Sequence, residues 1–313
     1  MKKIKLNTAA TMEETFRDFI TSRKVKGLAD KTIVSYESQF KAIGKHIDTS
    51  LDIAALRKED LDTMLVCMRD SGLSSNSINS YTRVLKSFFS WCNEQEITTL
   101  NIKLYKGEET IKETYTDREL ALLMKKPDIR KSTFAEYRDW VIINFLLNSG
   151  SRAATVRSIQ NRDVDLDSGI VCYRHTKNRK TQVIPLCSAM TAILREYQRH
   201  RGGEAEDYLF CTETGSQLTE NGLRQSIARY NTRRGVQKTS LHLFRHTFAR
   251  KYLIDCGGDA FTLQKLLGHS TLAMTKHYCA IYDADLTKNY DNFSPLAQMK
   301  SSGTKIKLNA PRR

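Results

Sequence analysis

From Trp140 to Leu147 every residue except Asn144 is apolar. A helix made from that run is hydrophobic around its whole circumference, yet it is far shorter than the roughly 20 residues that cross a bilayer. It must be enclosed by protein, so the rest of the chain has to supply packing elements on every side. The material is there: 313 residues, 40% of them hydrophobic, with four prolines. That suffices for about two domains of roughly 100–200 residues and excludes disorder throughout. The basic stretch Met1 to Asn7 is not followed by an apolar segment and a small-residue cleavage site, so no export signal is read and a cytoplasmic location is expected. Cys67, Cys92, Cys172, Cys187, Cys211, Cys256 and Cys279 form an odd set without a C-x-x-C pair. This argues against a disulfide framework and a zinc site, and predicts buried thiols.

Residues 12–94 carry four amphipathic helical patterns. Met12, Phe16, Phe19 and Ile20 share one face, and Ile33, Tyr36, Phe40, Ile43 and Ile47 share another behind Asp30 as N-cap. Leu61, Met64, Leu65 and Met68 form a third stripe that Gly72 ends; the fourth helix opens at Ser74-Ser75-Asn76 and runs from Ile78 to Trp91. On it, Asn79, Arg83 and Lys86 share a polar face, which is either ordinary solvated surface or a helix laid in a DNA groove.

Asn101 to Thr114 lacks a helical stripe, alternates in charge and contains Gly107, so it reads as a linker. Thr116-Asp-Arg-Glu119 is then a capping box that opens a second domain. The expected layout is a tail over 1–10, a helical domain over 11–100, a linker over 101–114, a second domain over 115–292 and a basic tail over 293–313. After the buried helix, Gly150 is followed by a helical segment holding Arg152 and Arg157. Val164 to Tyr173 and Thr181 to Leu186 are rich in β-branched residues and read as strands around a basic loop, with Pro185 closing the second. The remainder reads as helical.

Lys and Arg total 50 against 35 Asp and Glu, a formal charge of +15. Residues 113–290 hold 27 basic and 19 acidic side chains, and 291–313 hold 5 and 1. Local clusters are Arg174 to Lys180, and Arg224 to Lys238 with Arg229, Arg233 and Arg234 between. An excess of this size points to backbone phosphates as the partner.

One constellation carries chemistry. Ser240 to Arg250 reads as a helix on which His242 and Arg245 share a face, and an imidazole beside a guanidinium suits an anion. Gly268 ends another helix and puts His269 at a turn, and Tyr278 follows eight residues after Ser270. Taken in order, Gly150-Ser-Arg152, Lys177 in the strand-flanked loop, His242-x-x-Arg245, Leu267-Gly-His269 and Thr275-Lys-His-Tyr278 resemble the Arg, Lys, His-x-x-Arg, His, Tyr series of the tyrosine recombinase family. Phage integrases and Xer-type recombinases belong to it. The four-helix unit resembles that family's core-binding domain, so the likeness runs over residues 10–292.

The resemblance implies a mainly α fold: a SAM-like four-helix core-binding domain and a mixed α+β catalytic domain with a small antiparallel sheet. It implies that Tyr278 attacks a DNA phosphodiester to give a 3′-phosphotyrosine link, with no cofactor or metal. Arg152 and Arg245 would clamp the phosphate oxygens, His269 would hydrogen-bond one of them, and His242 would assist proton transfer at Tyr278. Lys177 would protonate the leaving 5′-oxygen, although Arg174, Arg179 and Lys180 sit beside it. Asn76, Asn79, Arg83, Lys86, Arg179, Lys180 and Arg224 are the expected DNA contacts.

Expected partners are double-stranded DNA with paired sites, an accessory directionality factor, and further copies of the chain in a nucleoid-associated tetramer. In that tetramer a helix over 283–293 would dock in trans. Thr155 stands where the family usually has an acidic residue supporting the first arginine. His246 and His277 are read as structural, Lys300 to Arg313 as a flexible tail, and no arm-binding domain is expected. An idle DNA-binding protein of this fold and a topoisomerase-like relaxer are the competing readings.

Overall fold

The computed structural model describes residues 10–105, 113–174, 181–276 and 278. The chain divides into two compact units, Met1–Ile111 and Lys112–Arg313.

The first unit is four helices: α1 (Met12–Val25), α2 (Asp30–Ile43), α3 (Lys58–Asp70) and α4 (Ser75–Glu94). A capping box starts α1: the Thr11 hydroxyl accepts from the Glu14 N–H, and the Glu14 carboxylate accepts from the Thr11 N–H. Ser74 caps α4 through the Ser77 N–H. Asp30 is not a cap. Ala29 takes the extended backbone of the N-cap position, and Asp30 is the first helical residue, where its charge suits the helix dipole. The apolar stripes meet in one core, in which Phe16 stacks on Phe40 at 3.8 Å and meets Phe88 edge-on at 5.3 Å.

Two further expectations for this unit are corrected. Ile102, in the presumed linker, is buried in the helical core with Tyr105 packed against it. Asn79 holds that segment: its amide donates to the Tyr105 carbonyl at 2.9 Å and accepts from the Tyr105 N–H at 2.8 Å. Both ends of the amide are thus committed to the chain's own backbone, which removes Asn79 from the DNA-facing set. Asn76, Arg83 and Lys86 remain exposed.

In the second unit, α5 (Asp117–Met124) begins with the expected capping box, and α6 (Phe134–Ser149) is the apolar helix. α6 packs against α5, α8 (Ser188–Arg201), α9 (Glu220–Arg233) and α10 (Leu241–Arg250), which is why Trp140 to Leu146 can be apolar on all sides. Asn144 inside the run is satisfied by the Trp140 carbonyl. The buried Arg138–Asp139 pair is completed by Ser226 on α9 and the Cys211 carbonyl. The short α7 (Ala153–Ser158) leads to a three-stranded antiparallel sheet of β1 (Val164–Asp165), β2 (Ile170–Tyr173) and β3 (Gln182–Pro185). Residues 164–173 are therefore a hairpin, not one strand. The Asp165 carboxylate accepts from the Asp167 and Ser168 N–H groups and folds the turn.

α10 is followed by a single π turn, Lys251–Asp255, then by α11 (Ala260–Leu267) and α12 (Leu272–Lys276). The thiols do not all lie inside: Cys92 and Cys211 are buried, but Cys67, Cys187 and Cys256 are exposed. Cys67 sits off the Leu61–Met64–Met68 stripe, and Cys187 and Cys256 occupy helix-end positions where no core demands a side chain. No helix among the described residues is long and apolar enough to cross a membrane.

Candidate active site

Two helix C-termini meet in the second unit, and both end in a left-handed glycine. Gly150 (φ 59°) closes α6 and Gly268 (φ 61°) closes α11. A Cβ at Gly150 would collide with the Phe248 ring and lie 2.8 Å from Leu267 Cδ2, so the absence of a side chain allows the two helix ends to close. Beneath this junction, Ser149 bonds Ser151 at 2.7 Å, and Ser151 bonds the hydroxyl of the buried Tyr173 on β2. Burial pushes Tyr173 up to about 12, so it stays a neutral phenol.

The carbonyls at these helix ends carry partial negative charge and lack helical partners. Arg245, on α10 and only 4% exposed, fills that role. Its guanidinium donates to the Gly150 carbonyl and the Leu267 carbonyl, each at 2.9 Å, and to His269 Nε2 at 2.7 Å. Arg152, the N-cap of α7, reaches the same Leu267 carbonyl at 3.4 Å. Burial first, and then repulsion from Arg152, pull Arg245 down to about 10, with the Tyr278 and Tyr173 phenols opposing. Among the described residues neither arginine is paired with a carboxylate. Thr155, which is buried, brings no charge where the resemblance expects an acid to support Arg152; Arg152 instead reaches the Leu267 carbonyl. The pair of cations is left uncompensated, an arrangement suited to a phosphate.

His269 is held in one tautomer. A guanidinium can only donate, so Nε2 accepts, and the Nδ1–H donates to the hydroxyl of the buried Thr275 at 2.9 Å. In this arrangement His269 bonds Arg245, where the resemblance expects a bond to a phosphate oxygen. Tyr278 lies in the turn after α12, its N–H bonded to the Thr275 carbonyl. Its ring stacks parallel to His269 at 6.1 Å, and its hydroxyl lies 3.1 Å from His246 Nδ1. The sequence reading did not anticipate this contact of His246. It follows His242 by four residues, so it lies on the same helical face, and the turn after α12 brings Tyr278 to it. His242 is exposed, with its ring 6.3 Å from that of His246.

Lys177, Arg179, Lys180, His277, the 283–293 segment and the C-terminal tail lie outside the described residues. Arg224 is exposed on α9 and bonds Asn221. Other members of the basic clusters have internal duties that the charge count concealed. Arg174 pairs with Asp163 at 2.5 Å, Lys238 with Glu113 and Glu119, and Arg234 with Glu136 while covering the Tyr230 ring. Gln182 on β3 carried no signal in the sequence, yet its amide donates to the Lys265 and Leu266 carbonyls and ties the sheet to the end of α11. Thr275 was legible only as a neighbour of the tyrosine, and Ser151 only as part of a motif.

Comparison with known proteins places this geometry. The phage integrase family profile matches residues 113–285, and the phage integrase N-terminal SAM-like domain matches residues 17–101. Tyrosine recombinase XerD of Staphylococcus haemolyticus is 27% identical over 300 residues, covering 92% of this chain and 99% of the relative. Tyrosine recombinase XerC of Xanthomonas campestris pv. campestris is 28% identical over 258 residues, covering 81% and 79%. Among solved structures, the Tn1549 transposon integrase in complex with a circular intermediate DNA aligns with a TM-score of 0.74 at 18% identity, over 90% of this chain and 99% of that one. A lambda integrase dimer bound to a core site aligns with a TM-score of 0.70 at 16% identity, over 96% and 100%. The fold is thus that of the integrases, with the expected SAM-like unit and a small antiparallel sheet beside the catalytic helices. The chain belongs to the phage integrase family of tyrosine site-specific recombinases.

Proposed function

We infer that this chain cuts and rejoins double-stranded DNA at paired sites through a covalent bond between Tyr278 Oη and a 3′-phosphate. The observation that carries the reading is the convergence of Arg152 and Arg245 on the Leu267 carbonyl, with Arg245 also donating to His269 and the Tyr278 ring stacked on that same His269. In-line attack by Tyr278 builds charge on the phosphate oxygens, and the two guanidinium groups stabilise it. Lys177 is assigned the protonation of the departing 5′-oxygen. Displacing one ester bond by another conserves its energy, so the step needs no nucleotide cofactor. Exposed Asn76, Arg83, Lys86 and Arg224, together with Arg179 and Lys180, are assigned to DNA contact.

The active assembly is a tetramer on two duplexes, with the 283–293 segment docked on a neighbouring copy. A lambda integrase tetramer bound to a Holliday junction shares this fold, with a TM-score of 0.69 at 17% identity over 87% of this chain and 78% of that one, which supports the reading. The biological role is integration or excision of a mobile element, or resolution of DNA, assisted by a directionality factor.

The test uses nicked duplexes carrying the DNA that flanks the gene. A denaturation-resistant adduct whose peptide maps to Tyr278 is the expected product; binding with no adduct supports an idle DNA-binding protein instead. Relaxation of supercoiled DNA lacking any site would favour a relaxer.

The His269 tautomer supplies a second expectation. Thr275→Val removes the hydroxyl paired with the buried Nδ1–H, a loss of roughly 1–3 kcal/mol. Adduct formation should slow about tenfold, while Thr275→Ser should match the wild type. Equal rates for Val and Ser would show that the Thr275 hydroxyl plays no part.

A further inference from the structure

His246 is a candidate for more than packing. It lies one helical turn beyond His242 on α10, and its Nδ1 is 3.1 Å from the Tyr278 hydroxyl, with the ring centroids 5.4 Å apart. A phenol O–H is a donor, whereas a neutral imidazole offers one lone pair and one N–H. Either the phenol donates to an unprotonated Nδ1 or an Nδ1–H donates to the phenol oxygen; proton transfer from Tyr278 uses the first arrangement, with the proton of His246 on Nε2. His269, whose ring stacks on that of Tyr278, is differently engaged. Its Nε2 accepts from Arg245 and its Nδ1–H donates to Thr275, so both of its nitrogens are committed. His242 is the exposed member of the α10 pair, and His246 lies half-buried.

We propose that His246 is a catalytic residue: its Nδ1 takes the Tyr278 proton when the strand is cut and returns it when the strand is resealed. The inference rests on the reading of Tyr278 as nucleophile. As Oη bonds to phosphorus, its proton passes to Nδ1, leaving His246 as imidazolium. The bond from phosphorus to O5′ breaks with its electron pair on oxygen, and that oxygen is protonated by the general acid assigned to Lys177. In the reverse step the 5′-hydroxyl attacks phosphorus and gives its proton back to the group assigned to Lys177, and Oη leaves with the bonding electron pair and recovers the proton from Nδ1. His242 is then left to meet the phosphate or its neighbours from the exposed end of the helix.

The experiment compares His246→Ala, His246→Asn and His242→Ala in the full chain. It follows adduct formation on the nicked flanking duplexes with and without added imidazole, and checks folding by thermal melting. His246→Ala is expected to lose about 100-fold and to regain activity in proportion to imidazole concentration. His246→Asn keeps a side chain of similar reach that cannot carry the proton, so it should fold as the wild type and remain slow. Imidazole rescue confined to His242→Ala, or a His246→Asn rate within threefold of the wild type, overturns the proposal. A wild-type chain that forms no adduct at Tyr278 fails the functional reading itself, and this inference falls with it. A wild-type adduct with His246 variants unimpaired removes this inference alone.

Discussion

Arg245→Met should slow adduct formation about 10³-fold while moving the melting temperature by only a few degrees. The two effects separate because the arginine is held at a cost. Its pull from the ordinary 12.5 to about 10 corresponds to a penalty on the order of 3 kcal/mol for keeping the charge buried. The folded value lies below the unfolded one, so the unfolded chain binds this proton more tightly. The penalty is thus complete at any pH below about 10 and fades only as the pH climbs towards the unfolded value.

Methionine removes that penalty but takes the Arg245 donor from the Gly150 and Leu267 carbonyls, at roughly 1–3 kcal/mol for the first and less for the second, which Arg152 still reaches at 3.4 Å. These terms nearly cancel in stability. Nothing offsets the loss in chemistry, where Arg152 alone would face the developing phosphate charge. Single-turnover adduct rates and a melting curve on the same preparation check both halves. A rate within tenfold of wild type would remove Arg245 from the chemistry, and a fall in melting temperature beyond about 15 °C would make it chiefly a structural residue.

Gly150→Ala should be strongly damaging to the catalytic unit. Gly150 has φ 59° and is enclosed by the Phe248 ring and Leu267 Cδ2. Forcing a Cβ into a left-handed position costs roughly 1–3 kcal/mol, and overpacking against the α10 and α11 side chains about as much again. The sum, about 2–6 kcal/mol, predicts a fall of roughly 4–24 °C in a unit of this size. Because the Gly150 carbonyl also accepts from Arg245, cleavage should slow even at temperatures where the variant stays folded. Adding Phe248→Leu relieves the collision without changing the backbone requirement, so it should recover part of the stability loss but not all of it. An unchanged melting temperature for Gly150→Ala would show that the two helix ends can separate freely.

Much of the architecture was legible from local pattern. The stripes of α1 to α4 and the capping box at Thr116 are short-range consequences of side-chain spacing and hydrogen-bonding reach. The order of the site motifs was equally visible, because each arginine, histidine or tyrosine stands beside a glycine or a helix end that marks its setting. Where the reading of single elements failed, longer-range contact was responsible. Asn79 has the spacing of an exposed polar face, but the chain returns to claim it at Tyr105. Arg174, Arg234 and Lys238 count as free charge until folding supplies Asp163, Glu136 and Glu119.

By itself, then, the sequence determined that α6 must be buried, that a helical unit precedes a mixed one, and that arginines, histidines and a tyrosine recur in an order suited to phosphate chemistry. Periodicity and capping act over a few residues, so a one-dimensional pattern is enough to express them. The tertiary structure alone decided what holds each site residue. Arg245 finds its acceptors 95 and 22 residues away in the chain, His269 finds its tautomer in Thr275, and Tyr278 meets His246 where His242 had been expected. Those choices depend on where two helix ends close against each other at Gly150 and Gly268, and on the turn that brings Tyr278 to α10. Such distances are set by packing in three dimensions, and spacing along the chain does not encode them.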